Sequence, residues 1–164
     1  AKAILDVFRE FLDHARGDWF GLELGISSLT SEHEGLVDEL LALMQRNNSD
    51  FTATFRTLSH HASLANPEQA TQSLFGNTAE ARNWGDRWVG RLDAPELMWQ
   101  ANPAIIPRNH QVEAIIKAAQ QGDLRPFHDL MAALEAPFSA AADSSEYRHP
   151  PTPEERVART FCGT

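Results

Sequence analysis

From Ala3 to Ala15 the apolar residues Ile4, Leu5, Phe8, Phe11, Leu12 and Ala15 recur at three- and four-residue steps. Side chains at that spacing share one stripe of an α-helix. Gly17 is expected to stop this helix, and Asp18 to Gly25 reads as a buried turn with one short helical piece. Gly17, Gly21 and Gly25 lie four apart, but Asp18 and Glu23 argue against a membrane packing motif. Ser31 and Glu34 fit a capping box that begins the next helix, whose apolar face is Leu36, Val37, Leu40, Leu41 and Met44. Asn47-Asn48 tolerates the left-handed conformation at its end. Asp50 is expected to cap a helix that carries Phe51, Phe55 and Leu58 on one face and frays near His60-His61. Asn66-Pro67 then opens a short helix with Pro at its first position.

Farther on, Asn77 or Thr78 can cap a helix in which Trp84, Trp88 and Leu92 fall at four-residue intervals beside Val89. The two prolines of Asn102-Pro103-Ala104-Ile105-Ile106-Pro107 predict a turn or extended link. A helix from about Arg108 to Gln121 follows, with Val112, Ile115, Ile116 and Ala119 on its apolar side and Gly122 just past its end. Asp123 caps the last helix, whose stripe is Leu124, Phe127, Leu130, Met131 and Leu134, with Pro126 in the first turn. After Pro137 the chain turns to Ala, Ser, Asp and Pro, and Pro153 to Arg156 could add one turn. No convincing strand alternation and no repeat is found. The expectation is an all-α protein: an irregular bundle of about six to seven helices over residues 1–136, then an extended Pro-rich tail over 137–164 ending Phe161-Cys162-Gly163-Thr164.

Composition narrows the class without choosing a function. A chain of 164 residues is one ordinary domain, able to bury roughly 68–70% of its unfolded surface. Its apolar fraction of 42% and charged fraction of 23% are ordinary for a globular protein. A net charge of −9 with only 14 Lys and Arg argues against nucleic acid as a partner. No run approaches a membrane span, and Lys2, Asp6 and Arg9 interrupt the first apolar stretch too early for a signal peptide. No membrane partner is expected, and a cytoplasmic location is the default. A single cysteine, Cys162, cannot form a disulfide within this chain.

The residues that could carry chemistry are sparse. No Gly-x-Gly-x-x-Gly, Walker, Asp-Phe-Gly, His-Arg-Asp or Val-Ala-Ile-Lys segment occurs, so phosphate-cradling and kinase-type machinery is missing from this stretch. His14, His33, His60, His61, His110, His128 and His149 are scattered. His110 and Glu113 could approach a metal at i and i+3, but a polar pair on a solvated helix face is the commoner meaning. Glu32, Glu34, Asp38 and Glu39 read as helix-start and surface charge rather than an acid/base pair. Trp84 and Trp88 read as core, with a peptide groove or stacking surface as the other reading. Cys162 lies near Arg156 and Arg159, which favour its thiolate, and near the terminal carboxylate, which opposes it. From its residues alone it is an incidental accessible or packed thiol.

Four segments together resemble one family. They are Leu40-Leu41-Ala42-Leu43-Met44 running into Asp50-Phe51-Thr52-Ala53-Thr54-Phe55-Arg56-Thr57-Leu58; Asn102-Pro103 leading to Arg108-Asn109; Ile115 to Gly122-Asp123; and Arg159-Thr160-Phe161-Cys162-Gly163-Thr164. In this order they look like the C-terminal region of the selenoprotein O family, also called YdiU, of pseudokinase-fold protein adenylyltransferases. His60 to Gly76 matches no recognised pattern, and Pro107 and His110 depart from the surroundings usual for the Arg-Asn pair. The resemblance implies that an upstream kinase-like domain of the same protein binds ATP with Mg or Mn and transfers AMP to hydroxyl side chains of protein substrates. It carries no catalytic, cofactor-binding or metal residue onto this chain, which is expected to be inactive alone and to bind no cofactor. It does imply a redox-regulatory role for Cys162, through a disulfide to the activation segment of that domain. The alternative is a free-standing helical interaction module that uses the Trp84-Trp88 or Phe51-Phe55 face. A metal-dependent helical hydrolase would need clustered ligands that the sequence does not offer.

Overall fold

A computed structural model describes residues 2–28, 34–64 and 66–156, with side chains omitted at 2–10, 13 and 34. The described residues are all-α. Eight helices follow in order: α1 (Lys2–Leu24), α2 (Glu34–Arg46), α3 (Phe51–Ser63), α4 (Glu68–Phe75), α5 (Ala79–Val89), α6 (Pro95–Ala101), α7 (Asn109–Gln120) and α8 (Arg125–Leu134). The capping box expected at Ser31 and Glu34 lies outside the described residues. The chain divides into two compact units, Ala1–Asn102 and Pro103–Thr164; residue 136, where the sequence places the end of the helical part, falls inside the second.

In the first unit α1 does not stop at Gly17 but continues to Leu24. One glycine costs a helix only about 1 kcal/mol, and the last turns of α1 bury Phe20 and Leu24, which outweighs that cost. The true stop is Gly25, at φ +67°. Its N–H bonds Leu22 O at 3.4 Å and the N–H of Ile26 bonds Gly21 O at 2.8 Å, the paired ending in which a left-handed residue satisfies the last carbonyls. Asn48 ends α2 in the same way, with φ +48° and Ser49 N–H on Met44 O at 2.9 Å. Asp50 Oδ1 accepts from Ala53 N–H at 2.8 Å, so the expected cap of α3 is present. That helix does not fray at His60-His61 but runs to Ser63, because Leu58 and Ala62 are buried on either side. Thr78, rather than Asn77, caps α5 by accepting from Ala81 N–H at 3.1 Å.

Trp84 and Trp88 stack with ring centroids 5.7 Å apart, and neither is exposed at all. Each indole N–H finds a carbonyl, Trp84 on Leu36 O at 2.8 Å and Trp88 on Leu24 O at 2.9 Å. Around them pack Leu36, Val37, Leu40, Phe55, Leu58 and Met98, bringing α1 against α3 and α6, α2 against α5, and α4 against α3 and α5. Between α5 and α6, Asp93 fastens the loop to Ser27 through its N–H at 2.8 Å and its hydroxyl at 2.6 Å, and these bonds hold the Asp93 carboxyl below its ordinary pKa.

The second unit holds α7 and α8, which pack on each other. Gly122, at φ +85°, ends α7 as expected, with Asp123 N–H on Ala118 O at 3.0 Å. Asp123 Oδ1 accepts from Arg125 N–H at 3.0 Å at the start of α8. Residues 137–156 are not uniformly extended. Short 3-10 turns cover Ala140–Ser144, Glu146–Arg148 and Pro153–Glu155; Ser139 and Ser145 hydroxyls start the first two by accepting from Ala142 and Tyr147 N–H at 3.3 and 3.2 Å, and Thr152 N–H on Glu155 at 2.9 Å starts the third. Extended, polyproline-like geometry is kept at His149 (φ −70°, ψ 134°) and Thr152 (φ −64°, ψ 163°). The small apolar cluster of this unit is Ala104, Ile105 and Ala142, with Ala133, Leu134 and Tyr147 partly packed on it.

Candidate functional site

The densest chemistry in the first unit is a buried polar network where α1, α3 and α6 meet. Glu23, Arg56, Ser59 and Asn102 are 4%, 4%, 0% and 1% exposed, which is unusual for such residues and requires partners. Asn102 Nδ2 donates to the Glu23 backbone carbonyl at 2.8 Å and to Ser59 Oγ at 2.9 Å. Ser59 Oγ donates to Phe55 O at 2.8 Å. Arg56 Nη1 donates to Asn102 O at 3.0 Å, and its guanidinium lies 3.9 Å from the centre of the Trp99 ring, a favourable cation–π distance. Glu23 Oε2 and Asn102 Oδ1 are buried acceptors without a hydrogen-bond partner among the described residues. Burial pushes the Glu23 carboxyl up to about 7, since a low-dielectric surrounding penalises the charged form. The network ties three helices to the chain that leaves α6, and it holds no nucleophile paired with a base.

In the second unit a groove is lined by Ile106, Pro107, Arg108, His110, Pro151 and Arg156. It continues past Glu113 and Lys117 of α7 and the acidic pair Glu154-Glu155. Arg108 is 7% exposed and donates to Arg148 O at 3.1 Å, while Gln111 donates to Tyr147 O at 3.1 Å. Glu155 accepts from Thr152 N–H at 2.9 Å, and that bond lowers its pKa. His110 and Glu113 therefore share a groove with basic and acidic neighbours. Among the described residues no group of three His, Cys, Asp or Glu converges as a metal ligand set.

The remaining sequence candidates are placed as follows. Cys162, His33 and Glu32 lie outside the described residues, as does the side chain of Glu34. Asp38 pairs with Arg16 at 2.6 Å and Glu39 pairs with Arg87, so both act as surface charge linking helices. The Trp84-Trp88 pair is core and offers no contact surface. Of the Phe51-Phe55 pair, Phe55 is buried and Phe51 is 39% exposed, stacked under Trp19 at 6.2 Å. Among the described residues no helix is long and apolar enough to cross a membrane. Sequence patterns did not bring Glu23, Arg56 and Asn102 together: Glu23 entered only as a charge against a membrane motif, and Arg56 and Asn102 only within the proline-bearing link and segments of the family resemblance. The available signal was an Arg between Phe55 and Leu58 on an apolar helix, and an Asn ahead of Pro103.

Comparison with known proteins identifies the surroundings of these features. The profile of a family described as "Protein adenylyltransferase SelO" matches residues 2–135. Proteins called "Protein nucleotidyltransferase YdiU" are similar over most of the chain. The one from Agrobacterium fabrum is 42% identical across 83% of this chain and 30% of its own length. That from Alkaliphilus metalliredigens is 38% identical across 99% of this chain and 34% of its own, and that from Rhodopseudomonas palustris strain BisB5 is 36% identical across 100% and 35%. The chain thus spans about a third of the length of the curated relatives it matches.

Proposed function

This chain belongs to the SelO family of protein nucleotidyltransferases, and from that premise we propose that it is a helical, non-catalytic region of a longer adenylyltransferase. The observation that carries this reading is the family match across residues 2–135, together with similarity over most of the chain to relatives about three times as long. In the proposed reaction a hydroxyl oxygen of a protein substrate bonds to the α-phosphorus of ATP, pyrophosphate leaves, and the hydroxyl proton passes to a base in the catalytic part. The residues described here do not fit ATP or its Mg or Mn. No glycine-rich phosphate loop occurs in the sequence, and no three-ligand metal cluster is found among the described residues. We assign nucleotide and metal to an upstream kinase-like domain, as the family resemblance implies, and this chain to packing upon it.

Cys162 is proposed as the redox-regulatory group, forming a disulfide with the activation segment of that domain. The two thiols lose two electrons and two protons to a thiol oxidant such as glutathione disulfide, and reduction frees the segment. The free-standing interaction module loses its Trp84-Trp88 face, which is fully buried, and keeps only the partly exposed Phe51 of its Phe51-Phe55 face.

Label transfer from ATP carrying a radioactive α-phosphate tests the reading, applied to the complete polypeptide and to the 164-residue chain. Label on protein with the complete polypeptide, and none with the chain alone, is expected. Transfer by the chain alone would overturn its non-catalytic role, and silence of the complete polypeptide would remove adenylyl transfer. Cys162→Ser in the complete polypeptide should abolish any response of activity to reductant; an unchanged response ends the redox proposal.

A further inference from the structure

The second unit builds little core for its size. Its buried apolar side chains among the described residues are Ala104, Ile105, Leu130 and Ala142, two of them the smallest that carry a Cβ. Units of this length are marginal even with a full core. Yet α7 buries none of its side chains and α8 buries Leu130 alone. On α8 and the residue before it, Leu124, Phe127 and Met131 are 53%, 45% and 49% exposed. Positions three, four and seven apart stand on one helix face, so the three form a continuous apolar stripe. Burying each of these large apolar side chains would be favourable, and the unit leaves that stabilisation unused.

The charge beside the stripe does not oppose covering it. Asp123 and Arg125, at its N-terminal end, are paired with each other at 2.8 Å, through bonds that hold the Asp123 carboxyl down at about 2. The length of the relatives supplies an occupant, because some two thirds of such a polypeptide lies beyond this chain. A covalently attached partner is presented at high effective concentration, so a short stripe suffices where two free proteins would need a larger interface.

We propose that the Leu124, Phe127 and Met131 stripe is the docking face on which the catalytic part of the same polypeptide sits. This rests on the reading above that the chain is one region of a longer nucleotidyltransferase. It goes beyond that reading by assigning the contact to α8 rather than to the exposed Trp19 and Phe51 of the first unit.

Methionine oxidation in the complete polypeptide tests the proposal without altering a residue, since the 164 residues contain three methionines. Met44 and Met98 are 6% and 0% exposed and report the slow rate of a buried thioether. With dilute hydrogen peroxide and mass spectrometry, Met131 is expected to oxidise as slowly as these two, at every protein concentration. Oxidation of Met131 at the rate of an exposed methionine overturns the proposal, and so does protection that disappears on dilution, which would mean a second copy. A photoreactive group at the same face then identifies the cover. With Phe127→p-benzoylphenylalanine in the complete polypeptide, the cross-link is expected on a peptide outside the 164 residues, and a cross-link confined to them refutes the assignment. Label transfer measured on the same sample separates the two readings. An inactive polypeptide with protected Met131 sinks adenylyl transfer and leaves the docking face standing. An active one with rapidly oxidised Met131 sinks the docking face alone.

Discussion

Asn102 donates through Nδ2 to the backbone carbonyl of Glu23 at 2.8 Å, closing a contact between residues 79 positions apart. The carbonyl lies in the last turn of α1, where helical partners run out, so the amide serves as a cap supplied from the far end of the unit. The same amide reaches Ser59 Oγ at 2.9 Å, and α1, α3 and the end of α6 thus share one donor group.

Asn102→Ala removes both bonds and leaves the Glu23 carbonyl without that donor. A buried polar group so orphaned costs about 1–3 kcal/mol, and the variant chain should lose that much in urea unfolding, with the midpoint lowered and the slope unchanged. Asn102→Asp should lose more, because a buried carboxylate faces the same carbonyl oxygen. A midpoint equal to that of the parent for Asn102→Ala would show that the network does not fasten the helices.

The two glycines that end α1 and α7 have left-handed backbones, at φ +67° and +85°, but different surroundings. A Cβ on Gly25 would lie 2.8 Å from Leu92 Cδ1 and 3.0 Å from Met98 Cγ, whereas one on Gly122 meets nothing within 4 Å. Gly122→Ala should therefore cost only the backbone term, about 1–2 kcal/mol. Gly25→Ala adds overpacking of about 1–3 kcal/mol. Thermal unfolding of the two variants side by side should place Gly25→Ala clearly lower; equal losses would mean that Leu92 and Met98 yield at no cost.

Much of this was legible in the sequence because it is local. Asp50, Thr78, Asn48 and Gly122 occupy their helix ends in the way their side chains or backbone freedom dictate. The Trp84-Trp88 pair is core, as four-residue spacing of large aromatics predicts. What escaped is decided by distant partners. Gly17 looks like a stop, but burial of Phe20 and Leu24 three and seven residues later carries α1 past it. The helix α6, only Pro95–Ala101, is too short for a periodic pattern, and Met98 is its one wholly buried side chain. The Glu23, Arg56 and Asn102 network is invisible because its members come from α1, α3 and the residue just past α6. The stripe of α8 was legible as a stripe, but the half-exposure of Leu124, Phe127 and Met131 was not, since periodicity shows which residues share a face and not what lies against it.

Trp88 offers a sharper test of the core than truncation would. Its indole N–H donates to Leu24 O at 2.9 Å, satisfying a carbonyl at the end of α1. Trp88→Phe keeps an aromatic ring beside Trp84 but loses that donor and some volume, and should cost about 2–4 kcal/mol from the orphaned carbonyl and the cavity together. Trp19→Phe, at a side chain 51% exposed, should change stability by less than about 0.5 kcal/mol. Equal effects at the two positions, read from denaturant midpoints, would contradict the arrangement of the core.

Glu23 makes the stability of the first unit depend on pH in a defined direction. Its carboxyl is raised from 4.5 to about 7 by burial. Below the unfolded value both states are protonated and no penalty is felt. Between 4.5 and about 7 the unfolded chain gives up the proton while the folded one keeps it, so stability falls as pH rises. Above about 7 both states are ionised and the loss is complete. With local relaxation and water entry moderating the burial penalty, the loss should be on the order of 1–2 kcal/mol. Glu23→Gln keeps the shape and cannot ionise, so it should remove this part of the pH dependence and be more stable than the parent at pH 8, with little difference at pH 4. Urea unfolding of parent and variant from pH 4 to 8 reads this directly. A gap that fails to open across that range would mean that the carboxylate finds a compensating charge or solvent in the folded state, and that the network around Asn102 accommodates the ionised form.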